Sequence, residues 1–270
     1  MAQEQTMSFL DHLEALRWHL IRIAGAVMLC SSVVFVWKSF FIDDLILGPR
    51  RPDFVTYQLF CQFTQKFSET GLFCFTEMPF ELLNTRMAGQ FTTHLWVAIL
   101  GGIVICFPYI VWEIWRFIAP GLHENERKAS RGIIWGTSML FFLGISFGYF
   151  LIAPLSVQFL GTYSVSEEVV NRIDLVSFIR TISSVTLASG ILFELPIAVY
   201  FLSRAGIVTP EGMKMYRRHA IVAVLLLSAI ITPPDILSQI LVSVPVLILY
   251  EFSIGISRRQ LKHLNKKAAL

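Results

Sequence analysis

Four groups of polar residues interrupt an otherwise apolar chain, and each brings chemistry that its surroundings do not supply. Glu126 and Arg127 follow Phe117-Ile118-Ala119-Pro120-Gly121-Leu122, where Pro120-Gly121 stops an incoming helix. A carboxylate at that point either caps the next helix, favoured by its dipole, or accepts a cationic ligand; spacing leaves both roles open. Glu194, in Leu192-Phe193-Glu194-Leu195-Pro196, stands deep inside an apolar run. An unpaired charge there costs at least ~2.5 kcal/mol, so this acid is neutral, paired or facing a wet cavity, and a functional role outweighs a packing one. Pro196 frees the carbonyl of Leu192 and is expected to bend the helix. In Thr232-Pro233-Pro234-Asp235, Asp235 can cap the helix that follows, and Gln239 faces inward one turn later. The last group lies in Phe9–Leu20: residues 9, 13, 16 and 20 share an apolar face, while Asp11, Glu14 and Arg17 lie elsewhere. This pattern predicts an amphipathic helix that runs along the membrane interface before it dives. His12 and His19 do not have the spacing of a paired metal site.

The elements that position these residues follow from composition. Of 270 residues, 55% are hydrophobic and 15% charged, and the mean hydropathy is +0.64, more apolar side chain than a soluble globule of this size buries. An all-α integral membrane protein is therefore expected. The formal charge of +3 is too small for a nucleic-acid binder. Phosphate loops, zinc-protease motifs, dinucleotide fingerprints and nucleophile elbows are absent from the sequence, so neither an enzyme nor a cofactor or metal requirement is expected.

A spanning helix needs ~20 mostly apolar residues to cross ~30 Å of hydrocarbon. Six runs qualify or nearly do, at about 20–41, 93–114, 132–153, 182–202, 220–231 and 236–256, preceded by a lead-in segment 1–19 and followed by a tail 257–270. They form one polytopic membrane domain, residues 1–270. Long continuous runs exclude barrel strands, which would be ~10-residue alternating segments. The loops on one side hold fifteen Lys and Arg, those on the other seven, which places both termini in the cytoplasm. No cleavable signal is expected, because the amino end is polar for about nineteen residues and the first apolar run is too long. The fifth run is abnormally short: about twelve residues reach only ~18 Å. Gly132, Gly136, Gly144 and Gly148 form one ridge of the third span, read as helix packing. Cys30 and Cys106 lie within apolar runs, whereas Cys61 and Cys74 lie in a polar outer loop where a disulfide and two free thiols are both open.

Together these motifs resemble the TatC family of the twin-arginine translocase, from about Phe9 to Arg259. The resemblance rests on His12-Leu13…Leu16-Arg17, on Phe117-Ile118-Ala119-Pro120-Gly121-Leu122…Glu126-Arg127, on Phe193-Glu194-Leu195-Pro196, and on Thr232-Pro233-Pro234-Asp235 leading to Ser238-Gln239. It implies a bacterial cytoplasmic-membrane receptor for folded proteins carrying Arg-Arg signal peptides, with cupped helices and short fifth and sixth spans. Single-span TatA and TatB partners, an oligomeric complex and transport driven by the proton gradient are implied as well. On that reading Glu126, with Glu14, Arg17, Arg127, Phe117 and Pro120, binds the signal peptide, while Glu194, Gln239 and Asp235 form the intramembrane groove. One position departs from the family pattern, which has an acid just before the Leu-Arg pair: here it is Ala15, with Glu14 one step earlier. One step turns a side chain by ~100°. Either Glu14 is re-aimed, or Glu124 or Asp11 assists, or Glu126 works alone. The alternative to a receptor is a proton-coupled small-solute carrier using Glu194; it predicts an inverted repeat, which the sequence does not display.

Overall fold

The computed structural model describes residues 9–65, 80–118, 130–166, 168, 171–232 and 236–268. Of the positions singled out above, Pro120, Glu124, Glu126, Arg127, Asp235 and Cys74 lie outside them. Helix dominates because a backbone in hydrocarbon must satisfy its own polar groups. Among the described residues, five helical stretches are long and apolar enough to cross a membrane: 12–36, 89–118, 132–162, 175–204 and 238–261. The expected fifth run is the 15-residue helix Arg217–Ile231, about 22 Å long and short of a full crossing. A count of six crossings is therefore not established by length.

Two compact units divide the chain, residues 1–42 with 94–139, and residues 43–93 with 140–270. In the first, helix α1 (Phe9–Val36) packs antiparallel to α3 (Gly89–Ile118). The rings of Phe35 and His94 stack 4.0 Å apart at one end, and those of His12 and Phe117 4.5 Å apart at the other. Between them Gly102 admits the α1 backbone: a Cβ there would lie 2.7 Å from the amide nitrogen of Ser31. Cys30 and Cys106 are free thiols on this pair. Helix α1 is continuous, so the expected separate interfacial segment is instead the first turns of one long helix; no proline or glycine interrupts it before Gly25.

The second unit joins the later helices to the outer segment between the first two spans. That segment is built up locally, with a π-helical turn at Ser39–Ile46 reaching into it, a short 3-10 turn at Gly48–Arg50, α2 (Val55–Gln65) and β1 (Glu81–Leu83). Cys61 on α2 is disulfide-bonded. The third span comprises α4 (Ser130–Phe147), a π turn (Gly148–Ile152) and α5 (Ala153–Thr162). Pro154 has no N–H to give the carbonyl of Phe150, and the hydroxyl of Thr56 on α2 donates to that carbonyl instead. The hydroxyl of Tyr57 lies 2.9 Å from the Pro154 carbonyl and 3.0 Å from that of Pro49. Burial raises its phenol above the ordinary range. The outer segment is thus docked where the third span's own hydrogen bonding fails.

Strand β1 pairs in parallel with β2 (Arg172–Asp174), Leu82 opposite Ile173. Asp174 then caps α6 (Leu175–Phe193), accepting from the Ser177 amide at 3.3 Å and the Thr85 hydroxyl at 2.9 Å. After α7 (Leu195–Arg204) come α8 (Pro210–Met215), the short α9 (Arg217–Ile231) and α10 (Ile236–Ala268). Ile152, Val185, Val224, Val242 and Val246 form a core cluster. Of the four-glycine ridge only the later half is packed. A Cβ at Gly144 would lie 2.7 Å from the Ser189 carbonyl and one at Gly148 2.9 Å from the Thr186 Cα, whereas Gly132 and Gly136 meet nothing within 4 Å.

Gly144→Ala is therefore expected to cost about 1–3 kcal/mol by overpacking, while Gly136→Ala is neutral or slightly stabilising; thermal unfolding in detergent separates them. The Thr85 hydroxyl, with the Ser177 amide, holds the Asp174 carboxyl below the usual aspartate range. Because the folded value is depressed, the cap's contribution is complete above the unfolded aspartate value. It is lost as pH falls through the depressed one. An Asp174→Asn variant should lose that acid-side dependence of its melting temperature.

Candidate functional site

Glu113, the twenty-fifth of the thirty residues of α3, is a fully buried acid, 0% exposed. Its Oε1 takes two donors from α1, His19 Nδ1 at 3.0 Å and Arg22 Nη1 at 3.1 Å. Its Oε2 takes Arg116 Nη1 at 3.2 Å, one turn along the same helix. Since an ionised carboxylate only accepts, the imidazole proton sits on Nδ1. The Arg116 guanidinium also lies over the Trp112 ring, 4.8 Å from its centroid. One buried acid therefore gathers three donors and ties α1 to the C-terminal end of α3.

Phe117 stands one turn beyond Glu113 and completes the cluster. His12 stacks on it, and His19 meets it edge-on with centroids 5.7 Å apart. His12, His19 and Arg22 lie on one stripe of α1, and Ala15 falls on that stripe by helical spacing. Glu14 is turned away by ~100° and is exposed. It does not replace an acid at position 15 on the face toward α3. Arg17 is exposed too, lining a shallow apolar groove of about 460 Å³ with Leu13, Leu20 and Ala24. Phe117 thus belongs with the Glu113 cluster, and Glu14 and Arg17 lie outside it. Glu113 escaped the sequence reading although the available signal was the one used for Glu194, an acid within an expected span. Its partners His19 and Arg22 are more than ninety residues away.

The intramembrane residues belong to the second unit. Glu194 falls where α6 ends and α7 begins, so the bend expected from Pro196 is a one-residue interruption in which Glu194 keeps right-handed helical dihedrals. Its carbonyl accepts from the amides of Ile197 and Ala198, both at 3.0 Å. Its Oε1 is buried and has no hydrogen-bond partner among the described residues. Gln239, half-buried on α10, donates to the Leu225 carbonyl at 3.2 Å, and its own carbonyl accepts from Ser243 at 2.7 Å. No hydrogen bond joins Gln239 to Glu194 among the described residues. Ser243 and Ser228 are 3.1 Å apart, as are Ser156 and Ser238, so buried hydroxyls stitch α5, α9 and α10. Among the described residues no cluster of His, Cys, Asp and Glu fits a metal ion.

Several apolar helices of spanning length, with acids held inside them, define a multi-pass membrane protein. Residues 11–245 match the family described as TatC, Sec-independent protein translocase protein, and the chain belongs to that family. It is 39% identical over 256 residues to the Sec-independent protein translocase protein TatC of Blattabacterium sp. subsp. Periplaneta americana, covering 94% of this chain and 96% of that one. Against TatCy of Bacillus subtilis the identity is 32%, covering 97% and 93%. A crystal structure of the twin-arginine translocase receptor TatC in DDM is similar with a TM-score of 0.71 and 28% identity, covering 91% of this chain and 99% of that one. A second TatC receptor crystal structure gives 0.67 and 27%, covering 93% and 99%. Membership of a protein-translocase family favours the translocase over the solute-carrier alternative.

Removing the Glu113 carboxylate strands two half-exposed guanidiniums. Glu113→Ala is expected to lose about 1–3 kcal/mol, and Glu113→Gln, which keeps an acceptor, distinctly less. Thermal unfolding of both variants in the same detergent checks the order.

Proposed function

We propose that this chain is the membrane receptor subunit of a twin-arginine translocase in the bacterial cytoplasmic membrane, with both termini in the cytoplasm. It recognises the Arg-Arg signal peptides of folded precursors, in a complex with single-span TatA and TatB subunits and powered by the proton gradient. No covalent chemistry is required of it. The observation that carries this reading is the family match over residues 11–245, which takes in the lead-in helix, the Pro120-Gly121 loop, the intramembrane acid and the Pro233-Pro234 turn together.

Glu126 is the first acceptor for the signal's arginines. A guanidinium makes two parallel charge-assisted hydrogen bonds to a carboxylate, which an ammonium does not reproduce. Arg127, Pro120 and Phe117, with Glu14 and Arg17 of α1, are proposed to take part in the same recognition. The clamp on Glu113 supports this assignment, because it fixes the helix bearing Glu14 against the helix leading into the loop. The signal's apolar stretch then occupies the groove near Glu194 and Gln239, with Asp235 at the start of α10. The unpartnered Oε1 of Glu194 supports a role in which that acid waits for a ligand.

Binding of a purified Arg-Arg signal peptide to the detergent-solubilised protein is expected to weaken about tenfold or more in Glu126→Gln, the loss of one charge-assisted pair. A Lys-Lys peptide should already bind weakly to the unaltered protein. Undiminished binding to the variant rejects the role of Glu126.

A further inference from the structure

The Glu113 cluster does not balance its charge. One carboxylate faces two guanidiniums, leaving at least one positive charge in excess, and no other acid pairs with Arg22 or Arg116 among the described residues. Each arginine reaches Glu113 through Nη1 alone and is 47% exposed, so further N–H donors of both are open to the surroundings. The buried acid also draws these like charges together from two different helices, at a repulsive cost that an external anion would relieve.

The depth of the cluster indicates which anion. Trp112, under the Arg116 guanidinium, and Trp18, next to His19 in sequence, are 41% and 54% exposed, and exposed indoles belong at the headgroup level of a bilayer. The cluster lies at the ends of α1 and α3 on the side rich in Lys and Arg, where the leaflet surface is negative. The geometry points to a headgroup site for one anionic phospholipid, in which Arg22 and Arg116 grip the phosphodiester in fork geometry and Glu113 preorganises them. Phosphatidylglycerol, whose phosphate charge has no internal counterion, is preferred over phosphatidylcholine, whose choline competes with the arginines. The two gripping residues, Arg22 and Arg116, have no part in the proposed reading of the signal peptide, and the site stands or falls without it.

The test is native mass spectrometry of the full chain released from nanodiscs of phosphatidylglycerol and phosphatidylcholine. The unaltered protein retains phosphatidylglycerol selectively. Arg22→Gln/Arg116→Gln/Glu113→Gln, which swaps the charges for amides without stranding the buried acid, loses that retention about tenfold. Should the triple variant fail to fold, Arg116→Gln, in which His19 and Arg22 still pair the acid, shows a severalfold loss. Retention by the folded triple variant or, if it does not fold, by Arg116→Gln equal to that of the unaltered protein overturns the assignment. Displacement by millimolar inorganic phosphate overturns it equally.

Discussion

A carboxylate among apolar helices must find cations, hydrogen bonds or water, and much of this protein's architecture follows from how it treats two such groups. Glu113 is fully satisfied: three donors from two helices converge on it, and the helices are locked together as a result. Glu194 is left incomplete, with one buried oxygen lacking a partner among the described residues, at a point where the helix itself is broken. The same residue type is a fastener in one unit and an open position in the other. Removing a partner from the first would be costly, whereas the second is set to gain from a ligand.

Backbone defects receive comparable treatment. Pro154 would strand the Phe150 carbonyl inside the third span, and Thr56 from the outer segment supplies the missing donor while the Tyr57 hydroxyl reaches the Pro154 and Pro49 carbonyls. At Glu194 the proline two residues on ends one helix and starts another. The outer segment, otherwise a long connection, is thereby made part of the fold. Close glycine contacts at 144 and 148 then let α4 and its π turn approach α6 at backbone distance.

Much of this was legible in the order of residues. Continuous apolar runs overlap the five helices of spanning length among the described residues, with ends that differ by up to nine residues, and the fifth run corresponds to a helix of only 15 residues ahead of the Thr232-Pro233 stop. Glu194 announced itself because hydropathy makes an isolated acid conspicuous. What stayed hidden depends on contacts across long sequence separations. Glu113 gains its meaning only from His19 and Arg22, and the outer segment only from its docking onto the third span. The glycine ridge misled in its first half because periodicity reports which face a residue shares, not whether another helix covers it. The amphipathic pattern of Phe9–Leu20 marked a helix correctly, yet had no feature to end it before the span.

The central claim is that a loop carboxylate reads the tag and an intramembrane acid meets the segment behind it. Site-directed photocrosslinking in native membranes, with probes at positions 14, 126, 194 and 239 and a precursor bearing an Arg-Arg signal, tests it most directly. The account predicts adducts with the signal from 126 and 194 on the same precursor, each lost when the two arginines become lysines. Adducts from neither position, or adducts indifferent to the arginines, would contradict it.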